Sequence, residues 1–171
     1  MRNMRTAWTH CLTDTPLGAM RLACSPTGLC GAWFVEEQKH APPSDQFLPE
    51  NDRPEDPLLQ AAAHQLHEYF NGHLHDFDLP LDLSAGTAFQ QAVWHALLGI
   101  AQGKTSSYLT LATVLGKPSA TRAVGAAVGR NPISLIVPCH RVLGSSGQLT
   151  GYAGGLWRKQ ALLKLEGHTL F

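Results

Sequence analysis

Apolar positions along residues 5–35 fall into three short runs broken by turn sequences, whereas from residue 56 onward they recur every three or four positions. The runs Arg5 to Thr13, Ala19 to Ser25 and Leu29 to Val35 mix β-branched, aromatic and aliphatic residues. Asp14-Thr15-Pro16-Leu17-Gly18 and Ser25-Pro26-Thr27-Gly28 separate them, which predicts a three-strand meander. Between Glu36 and Pro54 the composition shifts to Pro, Asp, Glu and Gln, the pattern of a long surface loop. Asp56-Pro57 then supplies a cap and a first-turn proline for a helix carrying Leu58, Leu59, Ala62, Leu66, Tyr69 and Phe70 up to Gly72. Phe77 to Leu81 reads as a short strand, and Ser84-Ala85-Gly86 marks a domain boundary.

Beyond that boundary the pattern is mostly helical. Thr87 caps a helix whose stripe is Phe89, Val93, Trp94, Leu97 and Ile100, with Gly103 as its predicted end. Ser107 caps Tyr108 to Leu115, Gly116 closes that helix, and Lys117-Pro118-Ser119 turns the chain into a second helix, Ala120 to Gly129. Helix, tight turn, helix is the outline of a helix-turn-helix. After Asn131-Pro132, the strand-like run Ile133 to Val137 leads into Pro138-Cys139-His140-Arg141. Glycine-rich loops at 144–147 and 151–155 precede a last helix, Leu156 to Glu166, expected to turn Leu162, Leu163 and Leu165 inward. The fold class read from this pattern is α+β. Residues 1–85 form a small β-sheet domain with one helix, and residues 86–171 form a mostly helical domain with a helix-turn-helix.

Composition changes this picture in one respect. The chain is neutral overall, with 13 Lys+Arg against 13 Asp+Glu. Residues 1–85 nevertheless carry 5 basic and 12 acidic side chains, net −7, and residues 86–171 carry 8 and 1, net +7. A basic half with a single acid is the footprint of a polyanion partner; alternatively, the two halves neutralise each other across an interface. No apolar run reaches membrane-spanning length and no signal-type block follows the first residues, so a soluble cytoplasmic protein is expected. The four cysteines lack C-x-x-C spacing, which argues against a zinc knuckle and a disulfide framework; no metal and no cofactor are predicted. His64, His67, His73 and His75 show no ligand geometry and read as solvated.

Candidate chemistry concentrates at Cys139. Thiolate is the reactive form of cysteine, and a neighbouring imidazole and guanidinium both favour it, although a cysteine there is also suited to simple core packing. The helix Ala120 to Gly129 offers Arg122 and otherwise small residues. That suits close backbone approach and insertion of one arginine through the minor groove better than readout of a sequence, though tight core packing is the plain alternative. Glu166, the only acid of the basic half, sits where a helix dipole disfavours it. Support of His140 would explain its position; so would solvation.

Phe89-Gln90 to Val93-Trp94, Ser107-Tyr108, Arg122-Ala123-Val124-Gly125, Asn131-Pro132, Pro138-Cys139-His140-Arg141-Val142, Gly151-Tyr152-Ala153-Gly154-Gly155 and Leu162-Leu163 to Glu166-Gly167 resemble, in order and spacing, the methylated-DNA–protein-cysteine methyltransferases. The match is dense over residues 89–167, and in the N-terminal half rests on Thr15-Pro16-Leu17-Gly18 and the strand pattern. The resemblance implies a ribonuclease-H-like N-terminal domain and a winged-helix-like C-terminal one. It implies that Cys139 takes the alkyl group from O6 of guanine, with His140 acting through a water and backed by Glu166. Arg122 would fill the space of the extruded nucleotide, Tyr108 rotate its phosphate, and Asn131 tie the recognition helix to the active-site turn. Ala123, Gly125, Ala126, Arg130 and Arg141 would join Arg122 and Tyr108 against DNA. Val142, Tyr152, Ala153, Gly154 and Asn131 would line the base pocket, with Tyr152 aiding proton delivery to the departing base. The implied partner is duplex DNA containing O6-alkylguanine, bound by a monomer through the minor groove and repaired once per molecule. O4-methylthymine is a further candidate substrate. Two departures are visible: Ala101 stands where the family commonly has proline, and the zinc ligands of some relatives cannot all be placed. Rival readings are a helix-turn-helix regulator with a non-catalytic cysteine and a Cys-His hydrolase.

Overall fold

The computed structural model describes residues 8–169. Strands β1 (Thr9–Thr13), β2 (Met20–Ser25) and β3 (Gly28–Phe34) form an antiparallel meander in register Cys11↔Leu22 and Leu22↔Ala32, with a bulge at Ala23/Cys24. The first predicted strand begins at Arg5, and its residues 5–7 lie outside the described region. Helix α1 (Pro57–Phe70) starts where Asp56 accepts hydrogen bonds from the Leu58 and Leu59 amides, 2.9 and 3.1 Å. Its inward stripe of Leu59, Ala62, Leu66 and Tyr69 packs with Met20, Leu22 and Leu29 of the sheet.

The segment 36–54 is more structured than a loop. It forms two 3-10 turns, Ser44–Gln46 and Pro49–Asn51, bridges His10 to Asp52, and places Phe47 over Trp33, centroids 5.7 Å apart. The reason lies in the sheet: β3 is buried along its whole length, so its second face needs an apolar cover. Phe77 to Leu81 contributes a single bridge, Leu81 to Leu29, because Pro80 has no amide to extend the ladder.

Helix α2 (Ala88–Leu98) opens with a capping box between Thr87 and Gln90 and stops at Gly99, short of Gly103; Ile100 reaches the core from the turn that follows. Helices α3 (Tyr108–Val114) and α4 (Thr121–Gly129), joined through a 3-10 turn at Pro118–Ala120, form the helix-turn-helix. Trp94 of α2 locks against α4, its indole N–H donating to the Ala127 carbonyl at 2.8 Å. Ile133 to Val137 is not a strand. Leu135 adopts φ 72°, and Ser134 bridges to Val137, so the run folds back on itself while Ile133 bridges to Ala32 of β3. A short parallel pair, β4 (Ser106–Ser107) with β5 (Val142–Leu143), fixes the chain after the cysteine. In α5 (Leu156–Leu165), Leu162 and Leu163 are buried but Leu165 is 40% exposed. The inward face of α5 follows the 3–4 spacing from Lys159 through Leu162 and Leu163 to Glu166, and Leu165 lies off it.

Fold class is thus α+β, a small sheet with its helix followed by a helical unit containing a helix-turn-helix. Among the described residues no helix is long and apolar enough to cross a membrane.

Candidate active site

Pro138 ends the reversed run, and Cys139–Arg141 form a 3-10 turn in which all three side chains are buried. The Cys139 sulfur accepts a hydrogen bond from Asn131 Nδ2 at 3.2 Å. The same amide nitrogen donates to the Val137 carbonyl at 2.8 Å, and Asn131 Oδ1 accepts from the Ile133 amide at 3.0 Å. Asn131 therefore ties the exit of α4 to the cysteine turn. Burial pushes the Cys139 thiol above its ordinary value, opposed by the Asn131 hydrogen bond and the Lys159 charge, so the resting group is a thiol.

His140 is completely buried, and its Nε2 lies 2.8 Å from Glu166 Oε2. Burial lowers its basicity more than the carboxylate raises it, leaving the ring neutral. With Nε2–H donating to the carboxylate, Nδ1 is the free base nitrogen, and it has no hydrogen-bond partner among the described residues. Glu166 caps α5 and accepts from His140, from Arg141 Nε (2.8 Å) and Nη2 (3.0 Å), and from the Tyr69 hydroxyl (2.7 Å). Burial alone would raise its pKa; these donors outweigh burial and hold it at about 2. Lys159, fully buried, donates to the carbonyls of Val142 (2.6 Å), Thr150 (2.8 Å) and Gly151 (3.1 Å), and burial brings its pKa down to about 8.

A cavity of about 70 Å³ opens on the sulfur, walled by Tyr108, Gly125, Val128, Gly129, Gly151, Tyr152 and Ala153. The inner face of α4 is thus one wall, and its glycines keep that wall low. Tyr108 donates to the Thr150 carbonyl at 3.2 Å across this space. The Tyr152 hydroxyl is buried without a partner among the described residues, and burial keeps it protonated. A larger cleft of about 210 Å³ lies behind the turn, beside Arg141 and Pro138, and does not include the thiol.

The structure corrects several sequence expectations. Arg141 cannot face DNA: it is 6% exposed, chelates Glu166 and donates to the Ile100 carbonyl at 2.6 Å. Val142, Gly154 and Asn131 do not line the cavity. Val142 is a buried strand residue, Asn131 stands behind the sulfur, and Gly154 is pressed between Tyr152 and Phe34, where a Cβ would come within 2.9 and 3.2 Å of their rings. Arg122, Ala123, Ala126 and Arg130 lie on the exposed face of α4, and Gly125 on its inner side. The basic footprint also shrinks, because Arg141, Arg158 and Lys159 are buried while Lys104, Lys117, Arg122, Arg130 and Lys164 are exposed. His64 and His67 are exposed, as expected of solvated residues.

Sequence reasoning missed Tyr69 and Lys159. A faint signal existed for both. A tyrosine inside an aliphatic stripe needs a partner for its hydroxyl, and Lys159 precedes Leu162 and Leu163 by three and four positions, on their inward face.

Fold and site together define a helix-turn-helix protein with a buried cysteine opening on a cavity walled by the second helix. Family models describe the same halves: the ribonuclease-like domain of 6-O-methylguanine DNA methyltransferase matches residues 9–83 and its DNA binding domain matches residues 88–168. The methylated-DNA–protein-cysteine methyltransferase of Mycobacterium leprae is 49% identical over 160 residues, 93% of each chain. That of Methanosarcina barkeri is 46% identical over 93% of this chain and 97% of its own. The crystal structure of Mycobacterium tuberculosis OGT in complex with DNA matches with a TM-score of 0.78 at 46% identity, covering 92% of this chain and 91% of that one. The chain belongs to the methylated-DNA–protein-cysteine methyltransferase family, and its enzymatic class is transfer of an alkyl group from DNA to a protein cysteine.

Proposed function

We propose that this protein extrudes O6-alkylguanine, chiefly O6-methylguanine, from duplex DNA and moves the alkyl group irreversibly to Cys139. The observation that carries this reading is the Cys139 sulfur opening on a cavity whose wall is the inner face of α4, beside an imidazole held by a carboxylate. An alkyl carbon inside the base stack is out of reach, so the nucleotide has to leave the helix. Exposed Arg122, with small Ala123 and Ala126 beside it, suits entry from the minor groove, where the arginine fills the vacated space and Arg130 meets backbone phosphate. Tyr108, at the cavity mouth, helps rotate the phosphate.

His140 Nδ1 takes the thiol proton through a water, and Glu166 stabilises the imidazolium that forms. Asn131 Nδ2 stabilises the thiolate. Sulfur attacks the alkyl carbon, the carbon–oxygen bond breaks with its electron pair passing to the base, and Tyr152 O–H supplies a proton to the departing guanine. O4-methylthymine presents the same kind of carbon. The product is a thioether that no group in the site can cleave, so each monomer acts once. In this reading, residues 1–85 support the reaction and residues 86–171 bind DNA and accept the alkyl group.

Intact-mass measurement after incubation with a duplex containing O6-methylguanine tests the reading. One methyl group per protein, located on Cys139, followed by no further repair, is the expected result. Clearance of the lesion by Cys139→Ala, or an unmodified Cys139, overturns it.

A further inference from the structure

Tyr69 belongs to α1, in the N-terminal half of the chain, away in sequence from the cysteine turn. Its ring is buried on the inward stripe of that helix, between Phe70 and Phe77. Its hydroxyl is, among the described residues, the one part of the N-terminal half that donates directly to the carboxylate behind His140, 2.7 Å from Oε2, across 97 positions of sequence. That oxygen is shared: His140 Nε2 stands 2.8 Å and Arg141 Nη2 3.0 Å from it. Three donors therefore divide the charge of one oxygen, and whatever Tyr69 draws is unavailable to the imidazole.

We infer that Tyr69 is a positioning residue of the alkyl-transfer reaction: its hydroxyl, competing with His140 for Glu166 Oε2, sets how strongly the carboxylate holds the imidazolium, and so makes α1 part of the proton relay. The inference rests on the alkyl-transfer reading above. The groups facing this pair from the surrounding elements are Arg141 on the cysteine turn, Lys159 on α5, Cys139 itself and Tyr152 on the 151–155 loop. Arg141 and Lys159 oppose a positive charge on His140, Glu166 favours it, and Tyr69 weakens that favour. The tyrosine can do this without itself ionising, because burial raises its pKa far above the working range. A weaker hold on the imidazolium keeps His140 neutral to lower pH, and only neutral His140 can accept the thiol proton.

The sign of the effect follows. Removing the hydroxyl concentrates carboxylate charge on His140, raises the pH at which the ring loses its proton, and moves the acid limb of the rate profile upward. A more acidic phenol draws more charge and moves it downward. The experiment is single-turnover methyl transfer to Cys139 from a duplex containing O6-methylguanine, followed across the range in which histidine titrates, for the wild type, Tyr69→Phe and Tyr69→3-fluorotyrosine. The phenylalanine variant is expected to shift the acid limb up by about half a pH unit, and the fluorinated side chain, which keeps shape and hydrogen bond, to shift it down. A uniform loss of rate with superimposable profiles makes Tyr69 a packing residue and overturns the inference. If Tyr69→Phe does not fold, the fluorotyrosine profile decides alone, an unmoved limb being fatal. A wild type that leaves Cys139 unmethylated refutes the alkyl-transfer reading instead, so the two failures are distinguishable.

Discussion

Glu166 shows how one residue can be misplaced locally and well placed globally. At the C-terminal cap of α5 a carboxylate meets the negative end of the helix dipole, which disfavours it. Donors from Tyr69, His140 and Arg141 more than offset this, and they account for its pKa of about 2. A carboxylate held below its ordinary value stabilises the fold above that ordinary value and loses the contribution as pH falls through the folded one. His140, whose basicity burial lowers, acts in the same direction: acid must place a charge on a buried ring. For Glu166→Gln, loss of at least about 3 kcal/mol of stability is expected at neutral pH, since Arg141 is left buried without its counter-charge. The gap to the wild type should narrow as pH falls from about 4.5 toward 2, where the wild-type carboxylate also loses its charge. Denaturant midpoints at neutral and acid pH check this; a gap independent of pH would refute the assignment. At the same scale Arg141 changes role, from a cation offered to phosphate to a clamp on the Glu166 carboxylate.

At the scale of elements, α4 carries two tasks on opposite faces. Its buried side supplies Val124, Ala127 and Val128 to the core and, through Gly125 and Gly129, the wall of the thiol cavity; its exposed side carries Arg122, Ala123 and Ala126. The small residues were legible in sequence; core packing holds for Val124, Ala127 and Val128, while the exposed Ala123 and Ala126 leave the other face free for the proposed approach to DNA. Unstacking a base costs a few kcal/mol; on the proposed reading, in which Arg122 fills the vacated space, Arg122→Ala should slow transfer from duplex about tenfold to a hundredfold. Transfer from free O6-methylguanine base should hardly change. Equal losses toward both substrates would place Arg122 in the chemistry rather than in extrusion, and parallel rate measurements distinguish the cases.

At the scale of the molecule, a buried cation, Arg158, bridges the two halves. Arg158 of α5 donates to the carbonyls of Leu17 (2.9 Å), Glu36 (2.8 Å) and Gly154 (3.0 Å) and lies 4.1 Å from the centroid of Phe34. It pins the glycine-rich loop that carries Tyr152 onto the N-terminal sheet. Lys39 strengthens the same seam through its amide, which donates to the Ala153 carbonyl at 2.7 Å. Arg158→Ala leaves three carbonyls short of a donor and should cost about 3 kcal/mol. Urea denaturation checks it, with a lower midpoint and unchanged slope expected; an unchanged midpoint would show that the strut carries no load.

Sequence by itself determined the strand meander and the helices, and it singled out Cys139 as the candidate nucleophile. Caps such as Asp56, Thr87 and Ser107 act within a few residues, as do the helical stripes and the tight turn between α3 and α4, so they are written locally. The motif around Cys139 was legible for the same reason, its residues being consecutive. Only tertiary structure decided what the charges do. Arg141, Arg158 and Lys159 count as positive in a sequence, yet each is buried against carbonyls or a carboxylate, and nothing near them in the chain announces those partners. Ile133 to Val137 looked like a strand because apolar content does not encode the left-handed Leu135 that reverses it. Tyr69 and Glu166 meet because α1 and the cap of α5 close over the same imidazole, a coincidence in space that packing creates and spacing along a chain cannot express.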